Sequence, residues 1–198
     1  MEANFTARTP NKTGGGAKTN TNGLNFERET SLLDALISHG FIAQNEIYTS
    51  SKKSIIACDI YIKNQTQQKL VGEYYTKHGL YKKLLESHKI NWENIISKQL
   101  LPDDAFLNLQ DKHLYIIEKK YQDGSGSVDE KLQSFPFKIH EYKKLVRSLN
   151  IEVSYIYILC DWFKQKKYDD VYNYMTKNGC QYVFNTLPLS YIGLQDVK

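Results

Sequence analysis

The run Leu114 to Tyr121 (LYIIEKKY) constrains the fold more than any other stretch of this chain. It is short, apolar at its start and rich in β-favouring residues, which reads as a strand. Side chains alternate along a strand, so Ile116, Glu118 and Lys120 share one face, while Tyr115, Ile117 and Lys119 share the other. Gln122 continues the face of Glu118. The segment Ala105 to Leu109 can pair antiparallel with this strand through a turn at Gln110 to His113, which returns Asp103 or Asp104 to the side of Glu118. Two carboxylates at hydrogen-bonding range repel unless a cation or a proton sits between them.

Two carboxylates with water and phosphate oxygens form the hard, oxygen-only set that Mg²⁺ accepts at about 2.0–2.1 Å, and Mn²⁺ can take its place. The chemistry such a set supports is phosphodiester hydrolysis. A metal polarises the phosphoryl group and acidifies its bound water, while Lys120 orients the nucleophile and offsets charge developing on the phosphate.

Downstream, Ser127 to Glu130 has the Ser-x-x-Glu form of a capping box. Val128, Leu132, Phe135, Ile139, Tyr142, Val146 and Leu149 then recur at spacings of three and four, one apolar helix face. Pro136 interrupts this pattern and kinks it or splits it in two. Asn150 ends it, and Ile151 to Leu159 (IEVSYIYIL) reads as a buried strand.

Pro102-Asp103, followed by Glu118-Lys119-Lys120 at the end of an apolar strand and then by helix and strand, resembles the PD-(D/E)XK nuclease superfamily. As a whole the chain is similar to a small type II restriction endonuclease, over residues 24 to 185. The resemblance implies an α/β fold with a restriction-endonuclease-like αβββαβ core, a mixed central sheet and flanking helices. It also implies a Mg²⁺-dependent, site-specific deoxyribonuclease that cuts duplex DNA to leave 5′-phosphate ends. Asp103 and Glu118 would bind metal, with Asp104 as the alternative first ligand, and Lys120 and Gln122 would assist. A homodimer is implied, because cutting both strands of a palindrome takes two sites related by a two-fold axis. In several such enzymes a Glu on the first helix faces the site, which makes Glu27 an additional acid; its ordinary reading is a first-turn carboxylate favoured by the helix dipole.

A chain of 198 residues suits one domain with a sizeable core. Its net charge of +4 suits a phosphate-bearing partner without requiring one. Three cysteines without metal-ligand spacing argue against a disulfide framework and for a reducing cytoplasm, of the prokaryotic type that the resemblance implies. No run reaches membrane-spanning length, so no membrane partner is expected. Residues 1–22 are polar and aperiodic and read as a flexible arm preceding a single nuclease domain over 23–198. Gly14 to Thr19 superficially resembles a phosphate-binding loop. Ala17 stands where a Gly is required and no strand precedes it, so no nucleotide cofactor is expected.

Leu24 to His39 reads as one core helix closed by Gly40. Phe41 to Tyr48 and Ser54 to Lys63 read as strands, Val71 to Lys98 as mostly helical, Tyr168 to Lys177 as a helix and Cys180 to Asn185 as a last strand. The loop holding Asn64, Gln65, Gln67, Gln68 and Lys69 offers groups that pair with adenine, guanine or phosphate, although a solvated hairpin explains it equally. Ser127 and Lys131, at the start of the helix after the acid pair, complete the DNA-facing set. Lys77, His78, Lys82, Lys83 and Lys89 are candidate phosphate contacts, and equally a solvated face. Two other functions remain open: a structure-specific repair or resolvase-type nuclease, and a non-catalytic DNA-binding module on the same fold.

Overall fold

The computed structural model describes residues 16–51, 53–63, 67–124 and 129–195. Its centre is one seven-stranded mixed sheet whose spatial order is the order of the chain. The strands are β1 (Ile42–Tyr48), β2 (Ile55–Lys63), β3 (Gln68–Tyr75), β4 (Asp104–Asn108), β5 (His113–Lys120), β6 (Glu152–Leu159) and β7 (Cys180–Phe184). Strands β1 to β5 pair antiparallel, whereas β6 and β7 run parallel to β5. Parallel neighbours need a crossover rather than a tight turn. Helix α3 (Phe135–Val146) carries the chain from β5 to β6, and α4 (Asp169–Lys177) carries it from β6 to β7. The fold is therefore mixed α/β with helices flanking the sheet.

The core follows from β5 and β6. Leu114, Ile116 and Ile117 are buried, as are Tyr155 to Leu159, because both faces of these central strands are covered. Phe135, Tyr142, Leu145 and Val146 form the buried stripe of α3. Pro136 stands in the first turn of α3, where its missing N–H costs nothing, and a 3₁₀ segment, Asp129–Ser134, precedes it. The expected split at the proline is thus realised. Asn150 ends the helical region in a left-handed conformation with φ 51°.

Three expectations are corrected. The single helix over Leu24 to His39 is two helices, α1 (Gly16–Glu29) and α2 (Leu32–Ser38). They part because the Ser31 hydroxyl caps the Asp34 N–H at 3.3 Å and the Leu32 N–H donates to the Asp104 carboxylate at 3.1 Å, so the second helix has its own start. Helix α1 begins at Gly16, inside the stretch read as an arm; residues 1–15 lie outside the described residues. Val71 to Tyr75 is strand rather than helix. Gly72 explains it: a Cβ there would fall 2.2 Å from the Phe106 ring, so the glycine lets β4 pack against β3. The rest of that region holds a wide-turned π-helix, Leu80–Leu85, and a 3₁₀ turn, Trp92–Asn94, which Asn91 caps as expected. No helix among the described residues is long and apolar enough to cross a membrane.

Candidate active site

Hairpin register builds the site. Asp104 lies opposite Ile117 in the β4–β5 pairing. Continuing the antiparallel register one step past the end of β4 sets Asp103 opposite Glu118. The Lys119 N–H donates to Asp103 Oδ2 at 2.9 Å and fixes that carboxylate at the strand edge. On β5 the Lys120 Nζ lies 2.8 Å from Glu118 Oε2. Asp103, Glu118 and Lys120 therefore gather at the edge of the sheet where β5 and β6 end.

Two more lysines join them: Lys77, one of the candidate phosphate contacts read from the sequence, and Lys138, which no sequence pattern singled out. Lys138, on the first turns of α3, donates to Glu118 Oε1 at 3.0 Å, the oxygen that Lys120 leaves open. Lys77, in the loop after β3, donates to Asp103 Oδ1. Its backbone has φ +48°, a conformation that costs a non-glycine residue free energy, and its N–H donates to the Pro102 carbonyl at 2.9 Å. Thr76 donates to the Asp103 carbonyl at 2.6 Å, so the loop after β3 and the Pro-Asp turn are one fixed unit.

Asp104 faces the other way, as strand alternation requires. It is 3% exposed and accepts from the Tyr74 hydroxyl at 2.6 Å and the Leu32 N–H at 3.1 Å, with the Lys119 ammonium 2.6 Å away. Burial raises its pKa, and Lys119 and Tyr74 only partly offset that. Of the two acids in Pro-Asp-Asp, Asp103 is the one beside Glu118, and Asp104 anchors α2 to the sheet. The Lys119 ammonium also donates to the Glu27 carbonyl at 3.0 Å and so ties the end of α1 to the same strand.

Glu27 comes into electrostatic reach of the site. Burial raises its pKa, the charge of Asp103 raises it further, and Lys77, Lys119 and Lys120 oppose the rise. Asp103 shows the reverse balance: burial pushes it up, but the Lys119 N–H and the Lys77 ammonium more than compensate and hold it below the usual carboxylate range.

Beneath Glu118 the face is aromatic. The Lys120 Nζ sits 6.0 Å from the centroid of Tyr157, and the Lys138 Nζ the same distance from Tyr155. The buried Tyr155 hydroxyl makes no hydrogen bond among the described residues. Burial, and next the charge of Glu118, oppose its ionisation.

The remaining expected site residues scatter. Gln122 is buried; its Nε2 donates to the Gly124 carbonyl at 2.7 Å, its N–H to the Cys160 sulfur at 3.3 Å, and its Oε1 has no hydrogen-bond partner among the described residues. It ties the turn after β5 to the end of β6. Gln67, Gln68 and Lys69 are exposed at the β2–β3 hairpin. That hairpin is the far end of β3 from the Asp103 edge, roughly 23 Å away at strand rise. Lys131 is exposed on the 3₁₀ segment, and its carbonyl accepts from the Tyr157 hydroxyl at 3.3 Å, so it lies nearer the site. Asn64, Gln65 and Ser127 lie outside the described residues.

No group of three acidic, histidine or cysteine side chains among the described residues is arranged to hold a metal ion. The available donors are the Asp103 and Glu118 carboxylates, with Glu27 in reach of Asp103, all hard oxygens of the kind Mg²⁺ or Mn²⁺ prefers. Each of the first two already has an ammonium against it. A cation would compete with Lys77 for Asp103 and with Lys120 and Lys138 for Glu118, and would relieve the repulsion between Asp103 and Glu27.

No protein-family model matches the chain, and no curated protein or solved structure matches it.

Proposed function

We propose that this protein is a Mg²⁺-dependent nuclease of duplex DNA, of the type II restriction endonuclease kind within the PD-(D/E)XK superfamily. The observation that carries the reading is the meeting of Asp103 and Glu118 across two antiparallel strands, with Lys120 on Glu118. The succession of antiparallel β3, β4 and β5, then α3, then parallel β6 agrees with the core that this superfamily implies.

Asp103 and Glu118 would hold the metal, with Glu27 adding negative charge within electrostatic reach of Asp103. A divalent cation bound there supplies a polarised phosphoryl group and a more acidic water. The chain's own residues do the rest. Lys120, beside Glu118, hydrogen-bonds the attacking water and orients it. Lys138 and Lys77 place positive charge where the phosphate gains negative charge. Water oxygen bonds to phosphorus, the bond from phosphorus to the 3′ oxygen breaks, and a proton reaches that oxygen, leaving a 5′-phosphate and a 3′-hydroxyl.

Phage and plasmid DNA incubated with purified protein, with Mg²⁺ or with chelator, tests the reading beside Glu118→Ala and Lys120→Ala. Discrete Mg²⁺-dependent fragments, lost in both variants, are expected. Cutting only at branched or flapped substrates would move the protein to the structure-specific nucleases. Folded protein that binds DNA equally with and without Mg²⁺ and never cuts would make it a binding module.

A further inference from the structure

Beside Asp103 lies a second feature of the same edge. A cleft of about 420 Å³ opens between the β1–β2 turn and the loop after β3. Ile55 and Ile56 give it apolar surface; Thr76, Lys77, His78 and Lys82 give it a hydroxyl, two ammonium groups and an imidazole; and serine and threonine hydroxyls of the β1–β2 turn complete it. Among the described residues no carboxylate lines it. Lys77 belongs to both places, since it lines the cleft and donates to Asp103.

The cleft is held in shape by backbone contacts. The Thr76 N–H donates to the Ile56 carbonyl at 2.8 Å, and the Gly79 N–H to the Thr76 carbonyl at 2.8 Å. Gly79 approaches β2 so closely that a Cβ would lie 1.7 Å from the Ile56 carbonyl oxygen. The Thr49 N–H donates to the Ser54 carbonyl at 2.9 Å across the β1–β2 turn. His78 is tethered by its Nδ1, 3.0 Å from Gln99 Oε1, while Lys82 is exposed.

We propose that this cleft is a sugar–phosphate subsite, which receives a backbone phosphate of duplex DNA next to the one cleaved at Asp103 and Glu118. The inference rests on the nuclease reading and deepens it. A deoxyribose phosphate has an apolar sugar face and a diester anion, and the cleft offers apolar surface, the Lys77 and Lys82 ammonium groups and the hydroxyls of the β1–β2 turn to match. Because Lys77 is shared, a phosphate seated here draws that ammonium toward itself and away from Asp103. Occupying the subsite therefore frees a metal-binding oxygen at the catalytic edge.

The test compares wild-type protein with Lys82→Ala, His78→Ala and the control Lys177→Ala on the exposed end of α4. Binding to a labelled mixed-sequence duplex of about three helical turns is followed by anisotropy over a range of salt, with Ca²⁺ in place of Mg²⁺. Each phosphate that the protein no longer neutralises lowers the slope of log affinity against log salt by about 0.9. Lys82→Ala is expected to show a slope smaller by that increment, and Lys177→Ala to keep the wild-type slope. Single uncharged methylphosphonate linkages walked along the duplex should weaken wild-type binding at a position where Lys82→Ala is indifferent. A Lys82→Ala protein with wild-type affinity, slope and methylphosphonate profile overturns the subsite and leaves the nuclease reading standing. Wild-type protein that binds no duplex overturns both.

Discussion

The Lys138 ammonium lies 3.0 Å from Glu118 Oε1 and the Lys120 ammonium 2.8 Å from Oε2, so one carboxylate bridges a helix and its own strand. Both oxygens of Glu118 are thus engaged by positive charge before any metal arrives. Lys138→Met is expected to tighten Mg²⁺ binding, because one competitor is removed; a charge at this distance near a surface is worth about 1–4 kcal/mol before screening. Cleavage at saturating Mg²⁺ should fall by about 10-fold or more, because the same charge faces the phosphate. Calorimetric Mg²⁺ titration beside single-turnover cleavage separates the two effects. Unchanged metal affinity would show that Lys138 does not compete for Glu118.

Lys119 is a stability residue between the two residues, Glu118 and Lys120, to which the proposal gives the chemistry. Its substitution by Met strands the buried Asp104 carboxylate, and removing one partner of a buried pair costs about 3–5 kcal/mol. Urea denaturation should show that loss. The double variant Asp104→Leu with Lys119→Met should lose less than the sum of the two single changes, because no charge is then left unpaired.

Glu27 sets a pH dependence of the opposite sign to Asp103. Its folded pKa lies above the ordinary 4.5, so its ionised form is disfavoured in the native state. That penalty is absent below pH 4.5, grows as pH rises toward the folded pKa, and is complete above it. Glu27→Gln is expected to raise the melting temperature at pH 7 and to leave it near wild type at pH 4. Asp103, depressed below 3.8, instead contributes stability that is present above that value and is lost as pH falls through its folded pKa. Melting curves from pH 3 to pH 7 for Glu27→Gln and Asp103→Asn should therefore diverge from wild type in opposite directions, both most strongly toward pH 7.

Gly79→Ala tests the loop that carries Lys77. The added methyl would meet the Ile56 carbonyl oxygen, so the loop must shift, at about 1–3 kcal/mol. Loss of cleavage is expected to exceed what that stability change explains at a temperature where the variant remains folded, because the Lys77 ammonium is moved from where it would face the phosphate. A folded variant with full activity would show that the loop does not need its present seat.

Much of this arrangement can be read in the chain because it is local. The alternation in β5 puts Glu118 and Lys120 on one face, and the length of the turn after β4 brings a Pro-Asp acid back to them. Only the pleat decides between Asp103 and Asp104, and it turns Asp104 toward Tyr74 and Leu32. Strand β3 escapes a sequence reading because Gly72, Lys69 and Glu73 dilute its β-favouring residues, and the reason for the glycine is a ring on a different strand, Phe106. Helices α1 and α2 merge in the sequence because the apolar spacing runs through both, whereas the break is made by the Ser31 cap together with Asp104, far along the chain. Lys138 carries no local signature at all, and Lys77 only that of a lysine-rich stretch. Each is one lysine among many, and only the packing of the β3 loop and α3 on the sheet selects it.

The identity of spatial and chain order in the sheet has a kinetic consequence. Every strand pairs with the one made just before it, so the loop to be closed at each step is short, except between β3 and β4 and at the crossovers through α3 and α4. The β1–β3 meander can form as it is synthesised, and β4 joins it across the long connection that holds the π-helix and the 3₁₀ turn. The acid pair then comes together only when β5 docks, and α3 brings Lys138 to it later still. In chain order the acid pair is completed by β5 and joined by Lys138 on α3 before β6 and β7 close the sheet.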